Sequence, residues 1–174
     1  MNPVAFDWDC AQACAYAWGF NCGPAALCAV LGMTPESIRP HLMDFERKGY
    51  TNPTLMEDIL RGMNVRFSRI FRRDEPDAFC PDIQPERYGL MRVQWGGRWT
   101  NPGVPMPVRY RHTHWVGLRN LSTEVFDINA ICAGGWLSRT EWREQLVPWL
   151  IRNAVPCGDG SWWPTHVLEI GGAK

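Results

Sequence analysis

A chain of 174 residues, 45% apolar and 21% charged, suits one domain with a real core and is too short for two ordinary ones. Its 18 basic and 18 acidic side chains cancel. This excludes bulk electrostatic attraction to nucleic acid or to an anionic membrane, and no apolar run approaches membrane-spanning length.

In chain order, Asp7 and Asp9 fall where the apolar core of a secretory signal would have to be, so no signal is expected at the start. Seven cysteines at irregular spacing then argue for reduced thiols in a cytosol rather than a disulfide framework. Cys10 and Cys14 lack the second pair that a structural zinc site needs, so neither a metal nor a cofactor is expected. The small apolar stretch 10–19 suits a close-packed helix or turn. Asn21 reads as an N-cap, Pro24 is tolerated in a first helical turn, and Ala25 to Leu31 is apolar on every side, the mark of a buried helix that Gly32 ends.

A second helix is expected from Thr34-Pro35-Glu36 to about Lys48, kinked at Pro40 and stopped by Gly49. A third runs from Asn52-Pro53-Thr54 to Gly62, with Thr54 and Glu57 at capping-box spacing. The period then changes to two. Residues 65–71 alternate as a strand, and 74–87 hold three prolines and several acids, as a loop does. Arg69, Arg72 and Arg73 form the only local basic run and read as a solvated surface. Strands are expected at 90–95, 110–118 and 124–129, the last two forming a hairpin. Long turns are expected at Gly96-Gly97 and Asn101-Pro102-Gly103. Ser138-Arg139-Thr140-Glu141 is a second capping box, opening a helix through about Arg152 that contains Pro148. Residues 163–170 close as a strand. Helices first and antiparallel strands later make a single α+β domain, residues 1–64 mainly helical and 65–174 mainly β with a helix near 138–152. Most of the ten tryptophans are expected to fill the core.

A thiol attacks a carbonyl only as thiolate, and its pKa falls at a helix N-terminus. Cys22 is placed there. Gly23 lets a substrate backbone approach closely, and the Cys22 N–H can point into an oxyanion hole. A base is then required, with a group to orient it. His41 lies on an expected surface helix. His112 and His114 share a strand face, His114 at the inner end. Asp127 follows 13 residues after His114, a hairpin distance, where it can fix the imidazole tautomer; Asn129, on the same expected face, is its rival. His166 reads as a core histidine. Trp115 is expected beside the site, shielding the Cys–His pair from water.

Asn-Cys-Gly-Pro-Ala-Ala-Leu at 21–27, His-Trp-Val-Gly-Leu at 114–118 and Val-Phe-Asp at 125–127 together resemble the papain-like peptidases of the bacteriocin-leader-processing (double-glycine) type and their free-standing relatives. Pro35-Glu36-Ser37-Ile38 and Tyr50 to Leu55 resemble the helices between Cys and His in that group. The resemblance spans roughly residues 10–130. It implies a papain-like cysteine proteinase fold and hydrolysis of a peptide or protein substrate through a thioester, with Cys22, His114 and Asp127 as the triad. Such enzymes usually carry a Gln shortly before the Cys as second oxyanion donor. Here Tyr16 stands at about that place and the nearest Gln is Gln12, so Gln12, Asn21 or Tyr16 has to serve. Acyl transfer by the same triad, as in the phytochelatin-synthase or transglutaminase branches, shares the thioester step. An inactive papain-like module that binds a protein partner is the reading from another class.

Overall fold

A computed structural model describes residues 6–72, 88–95, 113–121, 123–154 and 162–171. The expected loop at 74–87, the turns near 96–103, Arg73 and His112 lie outside them. The fold is α+β: helices come first, and a six-stranded antiparallel sheet follows.

Helix α1 (Trp8–Trp18) begins where the Asp7 carboxylate accepts the Cys10 N–H at 3.0 Å, and stops at Gly19 in the left-handed region. Helix α2 (Cys22–Leu31) is buried from Gly23 to Val30 and ends on Gly32 at φ 61°. The expected second helix is broken into α3 (Pro35–Ile38), a 3-10 turn (Arg39–His41) and α4 (Met43–Lys48). Pro40 is the reason: it cannot donate to a carbonyl one turn back, so the chain tightens and restarts rather than kinks. Helix α5 (Pro53–Gly62) is capped by Asn52, whose side chain accepts the Leu55 N–H at 2.8 Å. The Thr54–Glu57 capping box does not form, because Glu57 is engaged by Arg61 and Arg69 instead.

The strands are β1 (Phe67–Arg72), β2 (Tyr88–Trp95), β3 (Thr113–Arg119), β4 (Glu124–Phe126), β5 (Trp136–Ser138) and β6 (Trp162–Ile170), in the spatial order β1-β6-β2-β3-β4-β5. Side-chain alternation divides the core in two. Leu90, Trp115, Phe126 and Leu168 join the cluster under α1 to α5. Met91, Val116, Val125 and Val167, each one residue away, join a second cluster with Trp142, Val147 and Leu150. The sheet is thus packed on both faces. Central β2 is therefore buried along almost its whole length, its alternating polar Arg92 and Gln94 included.

The C-terminal helical run opens with the expected capping box, Ser138 and Glu141 each bonding the other's backbone N–H, on α6 (Arg139–Glu141). It widens to π geometry over Trp142–Leu146 before α7 (Val147–Ala154). Pro148, which has no N–H to give, enters where the hydrogen-bond ladder is already shifted. The tryptophans divide: Trp95, Trp115 and Trp142 are buried, but Trp8 and Trp149 are exposed, contrary to a purely core role.

Helix α2 approaches the sheet closely at Gly117 on β3. A Cβ there would come within 2.8 Å of Val30 Cγ2 and 3.2 Å of Phe126 Cβ. This contact sets the N-terminus of α2 against the start of β3. Among the described residues no helix is long and apolar enough to cross a membrane.

Candidate active site

Cys22 is the first residue of α2, where the N–H groups of the first turn lack partners within the helix. The Asn21 side chain does not cap that helix; its Nδ2 donates to the Gly49 carbonyl at 3.3 Å, tying the segment before α5 to the start of α2. Gly23 is required next to Cys22. A Cβ there would lie 2.3 Å from Thr51 Oγ1, which fills that space. The space that a side chain at this position would need is thus taken by the protein's own threonine.

His114 stands at the second position of β3, opposite Val93 of β2. Its Nε2 lies 2.9 Å from Asp127 Oδ1, so the ring nitrogen left to hydrogen-bond Cys22 is Nδ1. The Trp115 N–H also donates to the Cys22 sulfur. Burial pushes the Cys22 thiol up, but the charge and hydrogen bond of His114, with the Trp115 N–H, outweigh it and the net shift is down. For His114 burial acts downward, yet Asp127 and the Cys22 thiolate together hold its pKa well above the usual imidazole value. Asp127 answers in kind: burial raises it, and the His114 cation with the donors from Trp142 and Asn129 brings it below the usual carboxylate value. The arrangement favours a thiolate–imidazolium pair. Cys10, raised by burial, and Cys28, raised by its hydrogen bond to Cys14 and by burial, go the other way.

The expected strand 124–129 ends at Phe126, and Asp127 instead opens a 3-10 turn over Ile128–Ala133. Asn129 therefore does not share a strand face with Asp127. It donates its backbone N–H and its Nδ2 to Asp127 Oδ1, at 2.9 and 3.0 Å, so it braces the acid and does not orient the histidine. Trp142 Nε1 donates to the other oxygen, Oδ2, at 2.9 Å, and Asp127 has no exposed surface. The Trp95 ring lies 5.7 Å from the imidazole. Trp95 and Trp142 thus wall the His–Asp pair, a role the sequence reading missed. The one available signal was that a buried indole needs an acceptor for its N–H. Trp115 does reach the site, but its ring lines the cleft and its Nε1 donates to the Thr51 carbonyl at 2.8 Å.

Gln12 and Tyr16 both lie on α1, and neither lines the cleft beside Cys22; Tyr16 is 86% exposed. The Cys22 N–H, at the helix start, has no partner within the helix. His41 is exposed, as expected. His166, expected in the core, is buried but lines the cleft, and burial together with Arg92, Arg72 and Arg69 pushes its pKa down to about 3. Arg69 and Arg72, expected on a solvated surface, line the same cleft.

Asp127→Ala should slow Cys22 chemistry by about 10⁴-fold, the scale for losing a triad acid. It should also destabilise the protein by about 1–3 kcal/mol, because the buried Trp142 Nε1 loses its acceptor. Asn129→Ala keeps the backbone donor and should cost less than about tenfold. Turnover and thermal melts of the two variants compare these outcomes directly; a dead Asn129→Ala beside an active Asp127→Ala would reverse the assignment.

No family model, curated protein or solved structure matches this chain.

Proposed function

We propose that this protein is a papain-like cysteine hydrolase that cleaves a peptide or protein substrate through a thioester on Cys22. The observation that carries the reading is the relay Cys22–His114–Asp127, with the thiol at a helix start, its pKa lowered, and Asp127 held on both oxygens by Trp142 and Asn129. The imidazolium holds the thiolate in the resting site. After attack it gives its proton to the leaving amine, and in the second step the neutral ring takes a proton from water as the thioester is hydrolysed. Asp127 keeps the ring's Nε2 occupied, so Nδ1 stays aimed at sulfur. The Cys22 N–H stabilises the oxyanion that forms on the carbonyl. Acyl transfer to an amine or thiol uses the same first step and differs only in the acceptor.

Iodoacetamide tests the reading without a known substrate. At about pH 6 an ordinary thiol, with a pKa of about 8.5, is under ~1% ionised. Cys22 should be alkylated first even though Cys132 is exposed, as peptide mapping of the modified protein would report. Preferential alkylation of Cys132 at that pH would remove the basis for a nucleophilic Cys22.

A further inference from the structure

The two members of the reacting pair come from different layers. Cys22 stands at the start of α2 and His114 on β3, so the sulfur–imidazole distance depends on how the helix meets the sheet. Helix α2 is seated on β3 at Gly117, whose missing side chain leaves room for Val30 Cγ2 and the Ala26 carbonyl. Ala26 and Val30 lie about 6 and 12 Å along the helix from Cys22, at 1.5 Å per residue. The first turn needs its own attachment, because a small rotation about those contacts moves the sulfur most.

One short segment, Gly49-Tyr50-Thr51, supplies it from both sides of the thiol. Before Cys22, Asn21 Nδ2 donates to the Gly49 carbonyl at 3.3 Å. After Cys22, Thr51 packs so closely that a Cβ on Gly23 would lie 2.3 Å from Thr51 Oγ1 and 2.7 Å from its Cβ. From β3, Trp115 Nε1 donates to the Thr51 carbonyl at 2.8 Å in a buried bond, and the backbone N–H of the same Trp115 bonds the Cys22 sulfur. The segment thus touches the residue before the nucleophile, the residue after it and the residue that donates to it. Its own ends are tied down. The Gly49 N–H donates to the Phe45 carbonyl at 2.7 Å at the end of α4, and Asn52 caps α5. The Thr51 hydroxyl is buried and has no hydrogen-bond partner among the described residues. What Thr51 contributes is therefore its shape and its carbonyl.

We propose that Gly49–Thr51 is a positioning brace for the nucleophile, with the Trp115 indole as its strut: it seats the first turn of α2 on β3 and so sets the distance from sulfur to imidazole. Thr51 and Trp115 are positioning residues that act through Cys22. The inference rests on the reading of Cys22 and His114 as the reacting pair. Losing the indole donor leaves the buried Thr51 carbonyl without that bond, and the segment moves to satisfy it elsewhere. The Trp115 N–H and the His114 ring then meet the sulfur at a longer distance. The charged groups that act on Cys22 are His114 and, behind it, Asp127. A change in the brace alters neither, so the thiol reports their distance.

The test is the pH profile of Cys22 alkylation by iodoacetamide, read by peptide mapping, with thermal melts alongside. Trp115→Phe keeps an aromatic ring and the backbone N–H but loses the indole donor. Its alkylation midpoint should rise by about one pH unit. Thr51→Gly, which removes the packing on Gly23, should raise it similarly. Thr51→Val keeps the shape and drops only the unpartnered hydroxyl, so it should retain the profile of the unaltered protein. Trp115→Phe and Thr51→Gly proteins that melt lower but keep the midpoint would show a purely structural role and overturn the proposal. So would a Thr51→Val protein that behaves as Thr51→Gly does. If Trp115→Phe does not fold, the two Thr51 variants decide. Absence of a preference for Cys22 in the unaltered protein would remove the hydrolase reading and the brace together; a normal preference with unshifted variants removes the brace alone.

Discussion

Cys22→Ala is expected to reduce turnover by about 10⁶-fold, the loss typical of a triad nucleophile, with the fold intact. The partners of the thiol are His114, whose ring keeps its bond to Asp127, and the Trp115 N–H at the cleft. The neighbouring positions are far less forgiving, since Gly23 packs directly on Thr51 and Pro24 to Val30 are buried. The measurement is turnover of a fluorogenic peptide selected from a library on the unaltered protein, paired with thermal melts. A well-folded Cys22→Ala protein that keeps its rate would end the hydrolase reading, whatever the pKa of the thiol.

His114→Ala is expected to be nearly as damaging to turnover, and its more telling readout is the pH profile of Cys22 alkylation. His114 supplies the charge and the hydrogen bond that bring the Cys22 thiol down against burial. Without them burial is the largest influence left, and it acts upward. The midpoint of alkylation should therefore move up to or above the ordinary thiol value of about 8.5. On the proposed hydrolase reading, the pair in the unaltered protein should set both limbs of the activity profile. Activity rises as pH passes the lowered Cys22 value, because the nucleophile forms. It falls as pH passes the raised His114 value, because the acid that protonates the leaving group is lost. His166→Ala should leave the alkylation profile where it is, since His166 is neutral and stands two strands from β3 in the sheet. An unshifted profile in His114→Ala beside a shifted one in His166→Ala would move the base to β6.

The residues of the relay were legible in the sequence because each depends on local chemistry. A thiol before Gly-Pro and an all-apolar run announces the start of a buried helix, and that start is where Cys22 lies. Two strands separated by a short turn bring residues 13 apart into contact, and His114 meets Asp127 across that hairpin. The cap at Ser138 and the stop at Gly49 are likewise properties of a few consecutive residues, whereas the helix expected to be capped by Thr54 and Glu57 is capped by Asn52.

The surroundings of the relay were decided only in three dimensions. Asn129 looked like a rival to Asp127 because alternation was carried past Phe126, where the strand gives way to a 3-10 turn. The turn wraps the Asn129 N–H groups back onto the carboxylate. Trp142 reaches Asp127 from the helical run beyond β5, and no spacing rule ties the two. Tyr16 precedes the thiol closely in sequence, yet on α1 its side chain is exposed. Arg69 and Arg72 read as surface charge because a period of two cannot foresee a bulge. The bulge between Arg69 and Phe71 brings both to one face and sets Arg72 in register with His166 and, through it, Arg92, residues 94 and 20 positions further along the chain. Sequence position governs what a residue can do with its immediate neighbours; the order of strands in the sheet and the irregularities along them govern which distant residues share its site, because those depend on pairings the chain makes only once it is folded.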